Sequence, residues 1–177
     1  MGDTLITVVA IFLAAILMFV FPLMSLAERT DDISSLAVQT ATNEFVDNVR
    51  TTGKLTLEDY DKLISDITAT GNSFATEIVI QQLDENPGQK TTQAEATKIG
   101  ENLYYTIYTT QVEEQLSSKG RINLKEGDII TVTVKNTNQT IAQLLRNFFY
   151  VITGNDSYQI VGQHTGIVAV NGSTSQR

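Results

Sequence analysis

The chain has 177 residues, a net charge of −8 and no cysteine. Its acidic balance argues against binding nucleic acid, which requires clustered Lys and Arg, and against docking on an anionic membrane surface. The missing thiols exclude thiolate zinc sites, iron–sulfur clusters and cysteine catalysis. The length leaves room for one compact domain beside an apolar segment.

Residues 5–27 form an apolar run of 23 residues without a charge. At a helical rise of about 1.5 Å per residue the run covers about 35 Å, enough to cross a bilayer core of about 30 Å. We interpret residues 1–27 as a membrane-spanning half-helix, with the polar C-terminal part outside the cell. A cleaved signal peptide, suggested by Ser25-Leu26-Ala27, and the core helix of a soluble protein stay open as alternatives.

Residues 28–53 predict an amphipathic continuation of the same helix. No proline or glycine interrupts residues 23–52, and Gly53 ends the pattern. We therefore predict one helix from about Thr4 to Thr52, capped by Asp3 or Thr4 and bent at Pro22. Its narrow apolar stripe must contact either the rest of the chain or copies of itself. The stripe recurs every three or four positions, at Ile33, Leu36, Ala37, Ala41, Phe45 and Val49.

Residues 54–170 predict a small α+β head with four to six antiparallel or mixed strands. A capping box at Thr56 opens a helix that ends at Gly71, and a second box at Thr110 opens a helix that ends at Gly120. Residues 138–150 are amphipathic, and one side is expected to belong to the core of the head: Ile141, Leu144, Leu145, Phe148 and Phe149.

The strand signals of the head lie between these helices. Strands are predicted at 74–83 and 158–170, and a β-hairpin from Arg121 to Val134. Residues 103–108 fit either a strand or a helix. The remaining segments predict a turn at 84–88, an exposed loop at 89–98 and a flexible tail at 171–177.

Candidate chemistry in the head is sparse. His164 has no Asp, Ser or Cys partner in a recognisable arrangement, so we interpret it as structural or exposed. The acidic residues 58–66 lie on a predicted helix and lack the order of a calcium loop. Phe148-Phe149-Tyr150 fits a core cluster better than a binding patch, although both stay open. We assign no catalytic, cofactor-binding or metal-binding residue and expect no enzymatic activity.

The N-terminal architecture resembles type IV filament subunits, namely pilins, pseudopilins and their tight-adherence relatives. The resemblance lies in the apolar residues 5–27, the proline at position 22 and the amphipathic stretch 33–49. In that family the first half of a long N-terminal helix anchors in the membrane and later packs in the filament core, while the second half packs on a small α+β head. Two features depart from the family: only Met1-Gly2 precedes Asp3 where a basic leader is usual, and an aspartate stands in place of a glutamate.

The resemblance implies a major or minor subunit of a bacterial type IV-like surface filament. Its partners would be copies of itself, membrane lipid before assembly and the filament assembly machinery. A single-span accessory protein of a secretion or conjugation apparatus, a secreted binding domain and an enzyme stay open. The residues expected to pack helices together are Ala10, Ala14, Ala15, Pro22, Ile33, Leu36, Ala41, Phe45 and Val49.

Overall fold

The structure is a computed structural model that describes residues 2–83, 104–150 and 159–172, with the backbone alone for 148–150. It confirms the α+β class, because a long helix is followed by a head of strands and short helices. In chain order the elements are α1 (Gly2–Thr52), β1 (Lys54–Thr56), α2 (Leu57–Thr68), β2 (Phe74–Leu83), β3 (Tyr104–Ile107), α3 (Thr109–Lys119), β4 (Arg121–Asn123), β5 (Ile129–Asn136), α4 (Ile141–Tyr150) and β6 (Val161–Ile167).

Helix α1 is continuous over 51 residues and is about 75 Å long. It ends where predicted, since Gly53 adopts a left-handed backbone with φ of 65°. Pro22 lies inside the helix and is exposed. Neither Asp3 nor Thr4 is the N-cap, because the chain is already helical at Gly2.

Four strands form an antiparallel sheet in the order β3-β2-β5-β6. Strand β2 has the predicted bounds, and the ambiguous segment 103–108 contains strand β3. The last strand, β6, is shorter than the predicted 158–170. Isoleucines and valines of β2 and β5 fill the interior side of the sheet: Ile78, Ile80, Ile130, Val132 and Val134.

The predicted hairpin from Arg121 to Val134 is wrong. Strand β4 pairs with β1, whereas β5 pairs with β2 and β6. The turn itself exists, because the Asp128 carboxylate accepts a hydrogen bond from the Lys125 backbone at 2.8 Å. Its other oxygen accepts from the Leu83 backbone N–H at 3.0 Å, while Leu124 N–H donates to Gly53. These bonds direct the two strands into different sheets.

The head helices begin at local capping contacts. For α2 the predicted box is confirmed, since Thr56 and Asp59 exchange side-chain and backbone hydrogen bonds. Helix α3 begins earlier than the predicted box at Thr110. The Tyr108 N–H donates to the Gln111 side chain, and Thr109 Oγ1 accepts from the Ile78 N–H at 2.9 Å, which ties the helix start to β2.

The end of the described chain is held against the head. Gly172 N–H donates to the Leu124 carbonyl at 2.8 Å, and the Asn171 side chain accepts from the Glu126 N–H at 2.8 Å. These two residues are therefore fixed, although the sequence placed them in a flexible tail. The turn and loop predicted at 84–98 and the tail after Gly172 lie outside the described residues.

Candidate functional site

The first part of α1 carries a long apolar surface that the head does not cover. In residues 2–26, which we call the apolar segment, no residue is buried. Its most apolar window has a mean hydropathy of 2.9. Within the part of the chain that the structure describes, α1 is the one helix long and apolar enough to cross a membrane. Ala10, Ala14 and Ala15, the predicted close-packing positions, are all exposed here.

The second part of α1, residues 27–52, is covered by the head, and we call it the head-bound segment. It packs against β5, β6, α2 and α4. Its buried positions recur every three or four residues, which gives the helix one covered face. They are Ala27, Asp31, Ser34, Val38, Ala41, Thr42, Phe45, Val46 and Val49.

Two glycines of β6 allow the strand to lie directly on this face. A Cβ atom at Gly162 would lie 2.9 Å from Val38 Cγ1, and one at Gly166 would lie 2.9 Å from Val46 Cγ1. Both distances are shorter than real Cβ contacts, so any larger residue would push the strand off the helix. The sequence interpretation missed this contact. The signal was two glycines four positions apart, which lie on one face of a strand.

Polar contacts hold the start of the head-bound segment. The buried Asp31 carboxylate accepts a 2.6 Å hydrogen bond from Thr140 Oγ1, just before α4. One turn earlier, Arg146 Nε on α4 lies 3.3 Å from Glu28 Oε1. These contacts attach α4 to α1 at the first turn after the apolar segment. Sequence reasoning missed them, because buried polar residues do not stand out in an apolar pattern.

Helix α4 turns two of its large apolar residues outward, while Leu145 is half-buried. Ile141 is 64 % exposed and Leu144 is 53 % exposed, whereas Ala142 is fully buried. The expectation that Ile141 and Leu144 face the core is therefore wrong. The inner side of the helix is occupied by the contacts of Thr140 and Arg146 with α1. The side chains of the Phe148-Phe149-Tyr150 cluster lie outside the described residues.

A surface groove of about 360 Å³ lies where α4 meets the end of the apolar segment. Leu23 and Leu26 of α1 and Ile141 of α4 line it together with polar residues around Asn72 and Asn138. The apolar surface of α1 thus continues onto the side of the head that lies next to the apolar segment.

The predicted packing stripe is divided between two sides of α1. Ala41, Phe45 and Val49 lie on the covered face, whereas Ile33 and Leu36 are 64 % and 66 % exposed. A second groove of about 350 Å³ runs beside Ile33 and Ala37 toward the end of α2. The role of these residues in assembly stays a prediction.

The other candidate residues take structural positions. His164 is half-buried on β6, with Nε2 3.9 Å from Asp47 Oδ1 on α1. In the predicted acidic run, Asp59 caps α2 and accepts a 2.8 Å bond from Asn48, whereas Glu58 and Asp61 are exposed. Over the described ranges, no group of three or more His, Cys, Asp or Glu residues could hold a metal ion.

This arrangement suits attachment and packing, because one rigid helix carries a covered half and an uncovered apolar half. No protein-family model, curated protein or solved structure matches the chain. The long N-terminal apolar helix followed by a small head is consistent with pilin-like architecture.

Proposed function

We propose that the chain is a structural, non-enzymatic subunit, major or minor, of a bacterial type IV-like surface filament. The apolar segment holds it in the membrane before assembly, with the head outside the cell. In the filament the same segment packs against copies of itself in the core. The assembly machinery and neighbouring subunits are the partners in this proposal, and no cofactor takes part.

One observation carries the proposal: no residue of the apolar segment is buried, yet the segment is continuous with the part of α1 that packs on the head. The segment holds 19 hydrophobic residues and Pro22. Exposing them to water is unfavourable by about 25 cal/mol per Å² of apolar surface. The segment therefore needs lipid or other apolar helices around it. Because the helix is continuous, withdrawing the segment from lipid into a filament core would carry the head along as one body.

Small residues support packing of the segment against itself. Ala10, Ala14 and Ala15 interrupt the large side chains of the apolar segment. Helices in apolar surroundings approach closely at such residues, and the gain in packing offsets the loss of lipid contacts. Large neighbours such as Phe12 and Phe19, which are 66 % and 76 % exposed, would fill the remaining space.

The experiment compares two tryptophan variants of the full chain in its native cell. Ala14→Trp adds bulk at a small position, whereas Phe19→Trp is the control that adds a tryptophan to the same segment with little change in size. Both variants should enter the membrane fraction, since tryptophan is tolerated by lipid. Electron microscopy of sheared surface material should show filaments containing the chain for wild type and Phe19→Trp, and none for Ala14→Trp.

Filaments containing Ala14→Trp in normal amounts would contradict close packing at this position. If wild-type cells make no filament that contains the chain, the subunit proposal fails. The alternative, a single-span accessory protein of a secretion or conjugation apparatus that binds partners through its head, would then be favoured.

A further inference from the structure

Among the described side chains of helix α4, residues 141–147, two large apolar ones are exposed and Leu145 is half-buried. The inner side of α4 holds Ala142 and the Arg146 contact to Glu28, while its outer side presents Ile141 and Leu144. A surface helix of a soluble head normally places such residues inward. Two large apolar side chains more than half exposed on one short helix indicate an apolar partner for that side.

The position of α4 identifies the partner. The salt bridge to Glu28 and the hydrogen bond to Asp31 place α4 beside the first turn of α1 after Leu26. Residues 5–26 extend about 33 Å, close to the thickness of a bilayer core, so the core ends near Leu26. Ile141 also lines the same groove as Leu23 and Leu26. The exposed side of α4 is therefore continuous with the surface that faces lipid.

We propose that α4 rests on the membrane and inserts Ile141 and Leu144 among lipid acyl chains at the interface. The proposal depends on the membrane anchoring described under the proposed function. Helices that lie in the interface bury their apolar side about 5–10 Å into the boundary between headgroups and acyl chains. The subunit then contacts the membrane at two places, the apolar segment and the exposed side of α4. Two contacts hold the head in a fixed orientation.

A second copy of the chain could also cover Ile141 and Leu144, but the observations favour lipid. The groove opens beside Leu23 and Leu26, which belong to the spanning helix. In the proposed membrane-anchored state those leucines are surrounded by lipid, and Ile141 of α4 lines the same groove. Lipid reaches it without any change in the head.

The chain lacks cysteine, so single probes can be introduced at chosen sites. We propose to label Ile141→Cys and Leu144→Cys in the full chain with an environment-sensitive fluorophore and to reconstitute the protein in phosphatidylcholine vesicles. Phe19→Cys, deep in the apolar segment, is the positive control. Ser117→Cys is the negative control, because it is exposed on α3, which packs chiefly against β4 and β2 rather than against α1.

Lipids carrying a quencher near the headgroup end of the acyl chain should quench the probes at 141 and 144 strongly and the probe at 117 little. A quencher deep in the acyl chain should act most on the probe at 19. Quenching at 19 without quenching at 141 and 144 would overturn the α4 proposal while leaving the anchor intact. Absence of quenching at all four positions would show that the anchoring itself fails.

The protein-to-lipid ratio distinguishes lipid from a second copy. Contact with lipid predicts quenching that does not change when the protein is diluted tenfold in the vesicles. An emission shift at 141 that disappears on dilution, without lipid quenching, would show that another copy covers α4 and would overturn the proposal. Quenching should also weaken in the Leu144→Ser variant labelled at 141, whereas an Asn147→Ser control should retain it.

Discussion

In the two segments of α1, polarity and burial are related in opposite ways. The apolar segment, residues 2–26, has no buried residue, although it contains almost no polar side chain. The head-bound segment, residues 27–52, is rich in polar residues, and three of them, Asp31, Ser34 and Thr42, are buried. One continuous helix therefore contains its most apolar residues outside the fold and several polar residues inside it.

The difference shows that the two segments suit different environments. Polar side chains are buried in the head-bound segment because each has a hydrogen bond: Asp31 with Thr140, and Ser34 and Thr42 with carbonyls of α1 itself. The apolar segment offers mostly hydrocarbon, so an apolar environment suits it better than water. Hydropathy predicts whether one side of a helix needs an apolar environment. Contacts within the chain determine whether the head supplies that environment.

The largest expected effect comes from a charge on the covered face of the head-bound segment. Phe45 is 5 % exposed, so Phe45→Asp places an unpaired carboxylate in the core and should cost about 4 kcal/mol of the free energy of unfolding. Leu36→Asp is the matched control on the same segment, because Leu36 is 66 % exposed, and it should change stability by less than about 0.5 kcal/mol. Urea unfolding in detergent, followed by the near-UV circular dichroism of the tyrosines, measures both.

These two variants also separate folding from assembly. If subunits pack along the exposed side of α1, Leu36→Asp should lower the filament yield without destabilising the head. Equal losses of stability for Leu36→Asp and Phe45→Asp would contradict the assignment of the two faces.

An intermediate effect is expected where β6 lies on α1. Gly162→Val introduces side-chain atoms where even a Cβ would lie 2.9 Å from Val38 Cγ1, and it should destabilise the head by about 1–3 kcal/mol. Gln163→Val adds the same residue at an exposed position of the same strand and should be close to neutral. The same urea titration compares them. If Gly162→Val leaves the free energy of unfolding unchanged, β6 and α1 are farther apart than the structure places them.

The smallest expected effect on stability concerns a hydrogen bond between α2 and α3, away from α1. Tyr60 donates a 2.8 Å hydrogen bond to Glu113, and burial together with this bond raises the pKa of Tyr60 to about 12. Tyr60→Phe should cost about 0.5–1.5 kcal/mol at neutral pH. Because the unfolded tyrosine titrates near 10, the stabilisation is full below about pH 10 and is lost as the pH rises toward 12.

The pH dependence gives this last prediction its control. Unfolding measured at pH 8 and pH 11 should show a smaller difference between wild type and Tyr60→Phe at the higher pH. An unchanged difference would show that Tyr60 does not ionise with a raised pKa in the folded protein.

Local features of the fold could be read from the sequence. Helix α1 was predicted because no breaker lies between residues 23 and 52 and because Gly53 can adopt a positive φ. Strand β2 was predicted with its bounds from its β-branched residues, and the Thr56 capping box from two side chains three positions apart. Each of these depends on neighbours in the sequence.

Pairing between distant parts of the chain could not be read in the same way. The Lys125–Asp128 turn predicts a reversal, but hydrogen bonds of Gly53 and Leu83 decide which strands it joins. The outward orientation of Ile141 depends on Thr140 and Arg146 contacting α1 from more than a hundred positions away. The uncovered apolar segment was predicted, and so were Ala41, Phe45 and Val49 of the covered face, whereas the buried polar residues of that face and the outward orientation of Ile141 were not.

The contact between β6 and α1 has a consequence for the order of events during synthesis. The head-bound segment is made early, but Gly162 and Gly166, which cover Val38 and Val46, are made near the end of the described chain. At about 5–20 residues per second the ribosome needs several seconds to reach them. If α1 enters the membrane during synthesis, as the proposed function implies, it does so before β6 covers it. A chain interrupted before β6 would leave Val38 and Val46 without their cover.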